Sequence, residues 1–324
     1  MQRARLPGIL LVVVSAIGYG SGPLFAKAIY PTGFDWLDLL VWRHLLASLL
    51  FGVAVAALPA GRRALRGLSR ERAARSFAVG LLFTANAATY FGSLTWIDAS
   101  LAGLMTYAFP AIVAVLSIFF AHAPSGWRPW VALATASLGV ALGVGGISAG
   151  EEPATIGLVL GIASPIIYSC YIILAARLGG ESREGVGAAA GGVSPLAAVS
   201  LGLVGTALGF LLLRLLLGRA PLPLPIPDAA LLPVIGVATF SGIMPIAAFY
   251  AGAQRLGAAR AALVSTVEPV YTFVAANLLF GERLTPTQMV GGVLILGAVV
   301  VAEWEAIRPR RVAARAAATR RRRG

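Results

Sequence analysis

The sequence predicts an all-α integral membrane protein, and three observations carry that expectation. Of 324 residues, 58% are hydrophobic and only 12% charged, with a mean hydropathy of +0.85. A soluble domain carries about 25% charged residues, so too little polar surface remains to solvate a globule of this size. Apolar runs of about twenty residues, the length a helix needs to cross a hydrocarbon core of about 30 Å, recur along the whole chain. The gaps between them are too short to hold a soluble domain.

Ten such runs lie near 7–29, 36–58, 74–95, 99–121, 127–146, 155–177, 190–216, 229–253, 259–280 and 286–304. The first follows Met1-Gln2-Arg3 and superficially resembles a secretion signal. It is too long for the apolar part of one and ends at Lys27, not at a cleavage site, so it reads as a retained first helix. Trp36, Trp96, Trp127, Trp130 and Trp304 fall near run ends, where indole rings anchor helices at the membrane interface. Prolines Pro23, Pro110, Pro165, Pro245 and Pro269 interrupt predicted helices, and each removes a backbone hydrogen bond. The spacings Gly18/Gly22, Gly139/Gly143, Gly157/Gly161, Gly187/Gly191 and Gly205/Gly209 predict close helix packing. Cys170 is the single cysteine. It can form no intramolecular disulfide and reads as a small packing residue.

The net charge of +13 is distributed, not clustered in a nucleic-acid-binding fold. With the N-terminus placed in the cytoplasm and sides alternating, all of the 26 basic residues fall inside except Lys27, Arg43, Arg214, Arg219 and Arg283. Asp35, Asp98, Glu151, Glu152, Asp228 and Glu282 fall outside. This is the positive-inside pattern, and it places both termini in the cytoplasm. The arginine-rich tail at 307–324 then faces anionic lipid headgroups. No aromatic or folded element beside it suggests nucleic acid.

The chain also repeats itself. Aligning each residue with the one 159 positions later pairs Ala99, Ala102, Leu104 and Pro110 with Ala258, Ala261, Leu263 and Pro269. Tyr90-Phe91 meets Phe249-Tyr250, and Thr106 meets Ser265. Five helices per half is an odd number, so the second half enters the membrane inverted. That arrangement predicts a first repeat at 1–150 and a second at 151–306, with a binding site near the midplane between them.

The stretch from Ala258 to Val301 carries Glu268-Pro269 in mid-helix, then Gly281-Glu282-Arg283-Leu284-Thr285-Pro286, then Gly291-Gly292 in the last helix. It closely resembles the second-repeat signature of the EamA branch of the drug/metabolite transporter superfamily. The first half shows the sister pattern in Val41-Trp42-Arg43-His44 and Thr106-Tyr107-Ala108-Phe109-Pro110, but His122-Ala123-Pro124 replaces the Gly-Glu-Arg turn. Within that superfamily, the ten-helix length and the Tyr-x-x-Pro of the fourth helix look similar to YddG-type exporters of aromatic and other amino acids. The resemblance implies efflux of small metabolites, most often amino acids, through a basket of ten helices.

Ionisable groups at membrane depth are costly, about 2.5–3.5 kcal/mol each on insertion scales. Glu268, Arg43 and Lys27 are therefore the charged candidates. Glu268 suits a substrate ammonium, a coupled proton or an inter-helix clamp. Arg43 suits a substrate carboxylate or a structural tie to a neighbouring helix. Lys27 is near enough to the surface to reach headgroups. Asn86, Tyr90, Phe91, Tyr107, Tyr168, Ser241, Phe249, Tyr250 and Tyr271 are the candidate cavity lining, an aromatic wall able to hold cations and zwitterions. Pro110 and Pro269 are candidate hinges at matching places in the two repeats.

Other classes fit less well. Asp35-x-x-Asp38 could hold a metal on a lipid phosphate, but it stands alone at a helix end. No HExxH zinc motif and no phosphate-binding loop with its lysine are present. Neither an enzyme nor an ATP motor is therefore expected, and no cofactor or metal. A channel would show polar rings in an oligomer, whereas a pseudo-symmetric monomer supplies its own pathway, with a dimer left open. Phosphorylated cargo such as nucleotide sugars or sugar phosphates calls for several convergent cations, and only Arg43 and Lys27 are available. Organic cations or drugs are the other alternative cargo. The scarcity of lysine suggests a GC-rich bacterial genome, and hence the inner membrane.

Overall fold

The computed structural model describes residues 5–120, 127–145, 155–179, 195–256, Ala261 and 264–302. Helix occupies each of the ten predicted runs, and the described residues contain no strand. Among the described residues, fourteen α-helices build the bundle. They are α1 (Arg5–Gly20), α2 (Gly22–Ile29), α3 (Trp36–Ala57), α4 (Pro59–Arg66), α5 (Arg70–Ser93), α6 (Ala99–Thr106), α7 (Phe109–Phe120), α8 (Trp127–Gly145), α9 (Thr155–Gly179), α10 (Pro195–Leu216), α11 (Asp228–Ala238), α12 (Met244–Leu256), α13 (Val267–Phe280) and α14 (Pro286–Ala302). Among the described residues, six spans are long and apolar enough to cross a membrane: Leu6–Thr32, Trp36–Ala57, Ala99–Phe119, Thr155–Leu174, Leu196–Leu216 and Asp228–Phe249. Val267–Phe280 and Pro286–Val301 are shorter apolar helices.

The bundle is apolar outside as well as inside. Leu216, Leu232, Leu278 and Val293 are among its most exposed side chains. Water would disfavour such a surface, and lipid tails accept it. Helix ends follow local chemistry. Asp35 caps α3: its Oδ1 accepts from the amides of Leu37 and Asp38 at 2.9 Å, while Asp38 Oδ2 accepts from the Asp35 amide at 3.1 Å. The Asp-x-x-Asp spacing is thus a reciprocal helix cap, and among the described residues no group of three metal-ligating side chains occurs. The short helix α4 carries Arg62, Arg63 and Arg66 and went unpredicted, because hydropathy registers only apolar runs.

The helices pack in pairs. α1 lies on α12 and α13, α3 on α10 and α11, and α5 on α9 and α10. α7 lies on α9, α6 on α13, and α8 on α14. Small residues set these distances. A methyl on Gly80 would collide with the Gly202 carbonyl, one on Gly205 with the Phe77 carbonyl, and one on Gly209 with the Thr84 hydroxyl. On the other side, a Cβ on Gly139 would stand 2.6 Å from the Gly291 carbonyl oxygen. The predicted close-packing glycines therefore lie at helix contacts, except Gly187/Gly191, which fall outside the described residues. Hydroxyls tie the same helices together. Thr206 donates to the Gly80 carbonyl at 2.7 Å, Ser15 to Pro245 at 2.8 Å, and Thr272 to Gly20 at 3.1 Å.

Ion pairs between elements, among the described residues, all gather at one end of the bundle. Lys27 Nζ lies 3.7 Å from Asp98 and 3.9 Å from Glu282. The Glu282 carboxylate also closes the start of α6, accepting from the Ala99 amide (3.2 Å), the Ser100 amide (3.0 Å) and the Ser100 hydroxyl (2.8 Å). Nearby, Arg214 pairs with Asp38 and Arg219 with Asp35. Burial works against the Asp35 charge, but hydrogen bonds from Arg219 and from the Asp38 and Leu37 amides outweigh it and hold the carboxyl below its usual range. Lys27 thus ties α2 to the start of α6 and to the turn after α13. The glycine contacts give a test by thermal unfolding in detergent. Gly80→Ala should cost about 1–3 kcal/mol through overpacking. Gly52→Ala, with nothing within 4 Å of the added methyl, should be neutral or stabilising by up to about 1 kcal/mol.

Candidate functional site

Four departures from regular helix meet in the interior. The first membrane span breaks at Ser21, between α1 and α2. α6 and α7 are separated by a turn at Tyr107–Ala108, and a turn at Thr266 precedes α13. Residues Thr239–Ile243 between α11 and α12 form a π-helix. Irregular backbone at membrane depth persists only where protein or a water-filled cavity satisfies it, and π-segments are frequent at functional sites. The sequence offset of 159 carries Tyr107 onto Thr266 and Pro110 onto Pro269. The two breaks occupy corresponding places, and each proline sits in the first turn of the helix that follows. Pro165, by contrast, lies inside an unbroken α9, where the Ser169 hydroxyl accepts the role of partner by donating to its carbonyl at 2.6 Å.

The charged candidates stand beside these breaks. Arg43 Nη2 donates to the Ser241 carbonyl in the π-segment at 3.1 Å, and the guanidinium lies over the Phe91 ring, 4.8 Å from its centre. Glu268 follows the Thr266 turn and faces the Tyr107 hydroxyl, which itself donates to the Ser265 carbonyl at 2.9 Å. Among the described residues, neither Arg43 nor Glu268 has an oppositely charged partner within 4 Å. Both keep partial solvent access, as do Tyr90, Tyr168 and Tyr271. Charges so deep remain accessible only if there is space beside them.

Aromatic rings pack against one another in this region. Tyr90 meets Phe91 edge to face at 5.3 Å, Phe109 meets Tyr168 at 4.8 Å, and Tyr168 stacks on Tyr171 at 6.0 Å. Tyr271 shares a 2.9 Å hydrogen bond with Ser21 at the first break. Asn86 receives the Ser164 hydroxyl at 3.4 Å and so joins α5 to α9. Ser241 is fully buried at the π-segment. Phe249 lies apart, packed with Val12, Leu256 and Ala261 in a satellite apolar cluster. Tyr250 is helical, but its side chain lies outside the described set.

Tyr19 belongs to this group and was not anticipated. Positioned just before the Ser21 break, it interacts electrostatically with Tyr168, Glu268 and Arg43. Its signal in the sequence was the flanking pair Gly18 and Gly20, which marks a site of close backbone approach. His44, next to Arg43, is core instead: its Nδ1 is 2.8 Å from the Leu40 carbonyl, and its ring stacks on Phe210 at 5.1 Å.

Comparison with known proteins agrees with this architecture. The sequence matches the EamA-like transporter family twice, over residues 6–144 and 155–303. An uncharacterized transporter of Archaeoglobus fulgidus is 28% identical over 301 residues, spanning 91% of this chain and 96% of its own length. The uncharacterized transporter YcbK of Bacillus subtilis is 24% identical over 300 residues, spanning 89% and 90%. One protein of known crystal structure, 20% identical, superposes with a TM-score of 0.59 over 92% of this chain and 96% of its own. At that identity the likeness speaks for the fold alone.

The paired breaks give a prediction for motion. If Pro110 and Pro269 keep both interrupted spans pliable, Pro110→Ala combined with Pro269→Ala should slow substrate exchange at least several-fold in reconstituted vesicles while raising thermal stability. An unchanged exchange rate in the double variant would remove the hinge role.

Proposed function

We propose, from the premise that this chain belongs to the EamA-like transporter family, that it exports small metabolites, amino acids first among them, by alternating access through the space between its two halves. The protein is a multi-pass membrane transporter. The finer reading rests chiefly on one observation: Arg43 and Glu268, neither ion-paired among the described residues, stand beside clustered aromatic rings at membrane depth. A zwitterion brings both missing partners at once. Its carboxylate answers Arg43, its ammonium answers Glu268, and an apolar side chain packs on the tyrosines. An aromatic amino acid, as in YddG-type exporters, suits such a wall.

Helix pairing supports two inverted repeats of five spans. The contact of α1 with α12 has its counterpart in that of α5 with α9. The contact of α7 with α9 mirrors that of α1 with α13, and the contact of α5 with α10 mirrors that of α3 with α11. The side-by-side family matches support the same division, near 1–150 and 151–306. On this reading the arginine-rich end faces the cytoplasm of a bacterial inner membrane. The ion-paired end bearing Lys27, Asp98 and Glu282 faces outward and is shut. The cavity is then open toward the side from which an exporter loads, and a single chain contains the whole pathway.

Glu268 alone would also suit an organic cation, so the test spans both cargo classes. Vesicles containing the purified protein are loaded with unlabelled amino acids, and entry of labelled phenylalanine and threonine is followed. Saturable exchange is expected for the wild type, with a loss of about tenfold or more in Glu268→Gln, equivalent to about 1.4 kcal/mol. Absence of exchange across the panel, with the protein folded and organic cations transported instead, would overturn the amino-acid reading.

A further inference from the structure

Three observations meet beside the Ser21 break. Arg43 uses one donor on the Ser241 carbonyl (3.1 Å) and lies over Phe91, with no carboxylate within 4 Å among the described residues. The Ser241 hydroxyl is completely buried and has no hydrogen-bond partner among the described residues. Gly22 presents no side chain to either. A Cβ there would stand 2.8 Å from Ser241 Oγ and 3.5 Å from both Arg43 Nη1 and Phe91 Cζ. Gly22 thus lets the backbone of α2 approach the hydroxyl and the guanidinium closely.

We infer that Arg43 and Ser241, beside Gly22, form a carboxylate-binding subsite, which fixes one end of the cargo at the π-segment. The inference rests on the transporter reading and specifies how that site recognises its substrate. The guanidinium can only donate and the hydroxyl can donate as well, so one acceptor satisfies both. A planar carboxylate matches the guanidinium fork with two parallel bonds, and the Ser241 hydroxyl can donate to one of the same oxygens. A phosphate dianion would call for further cations, and among the described residues none stands beside Arg43. The arrangement also links occupancy to shape. An arriving carboxylate competes with the Ser241 carbonyl for Arg43. It thereby loosens the hydrogen bond that ties the π-segment to α3, and α11 and α12 become free to shift about that segment.

The experiment compares phenylalanine, phenylalaninamide and 3-phenylpropionate as ligands of the detergent-purified protein, by thermal stabilisation and calorimetric titration. Ser241→Ala keeps the carbonyl that Arg43 contacts and removes only the unpartnered hydroxyl. Its ligand-free melting temperature should be equal or higher, because a buried donor without an acceptor is itself destabilising. The ratio of acid to amide affinity should fall about tenfold, as for one hydrogen bond to a charged group. Arg43→Lys, which keeps the charge without the fork, should lower the same ratio. A ratio unchanged in Ser241→Ala overturns the subsite, as does an equal loss of acid and amide binding in Arg43→Lys. The two proposals fail separately. If the wild type exchanges no amino acid while 3-phenylpropionate stabilises it but not Ser241→Ala, the cargo assignment falls and the carboxylate subsite stands. If phenylalanine is exchanged with an unchanged ratio in the variants, the subsite falls and the exporter stands.

Discussion

Hydrocarbon offers no hydrogen bonds, so each polar group in a membrane-embedded bundle must find its partner within the protein or in enclosed water. Most of this structure follows from that constraint. Serine and threonine hydroxyls return to carbonyls one turn back, as Ser200 does to Leu196 at 2.8 Å, or cross to a neighbouring helix, as Thr206 does to Gly80. Arg214, buried near a helix end, pairs with Asp38 and donates to the Ala220 carbonyl. Because satisfaction is the rule, exceptions carry information. Among the described residues, Arg43 and Glu268 have no ion partner and the Ser241 hydroxyl has no hydrogen-bond partner, and they stand where four interruptions of regular helix come together.

The second organising feature is duplication. Two stretches of the chain match one family, and their helices pack in partnerships that map onto each other. Breaks at Tyr107 and Thr266 fall at matching positions. The duplication is not complete in chemistry. Glu282, from the turn after α13, closes the start of α6 and gathers Lys27 and Asp98. The corresponding turn in the first half reads His122-Ala123-Pro124 and has no carboxylate to do the same. The charged ties between elements, among the described residues, accordingly collect at one end.

Much of this was legible from sequence because its signals are strong and periodic. Apolar runs located the helices to within a few residues, glycine spacings marked close contacts, and the low count of charged residues made Arg43 and Glu268 conspicuous. Less was legible where an outcome depends on which faces meet in three dimensions. The Asp35-x-x-Asp38 pair proved to be a helix cap, a local role that ion-binding motifs share. Lys27 lay at the predicted depth, but its partners come from 71 and 255 residues away in the chain. Helix α4 escaped because it is amphipathic and arginine-rich. Phe249 aligned with Tyr90 in the repeat but faces a separate apolar cluster, since residues at matching positions need not face the same space. Tyr19, hidden between two glycines, joined the site only once the Ser21 break placed it there.

The central claim is that the aromatic and charged residues around Arg43 and Glu268 line a water-filled cavity and not a dry core. Cysteine accessibility tests it most directly. In a Cys170→Ser background, which removes the only native thiol, a single cysteine is placed at Tyr90, at Tyr271 or at the lipid-facing Val293. Membrane-impermeant thiol reagents applied to oriented vesicles should label the first two positions from the arginine-rich side, leave Val293→Cys unlabelled, and be blocked by saturating substrate. Protection of Tyr90→Cys and Tyr271→Cys from both sides, in folded protein, would contradict the account.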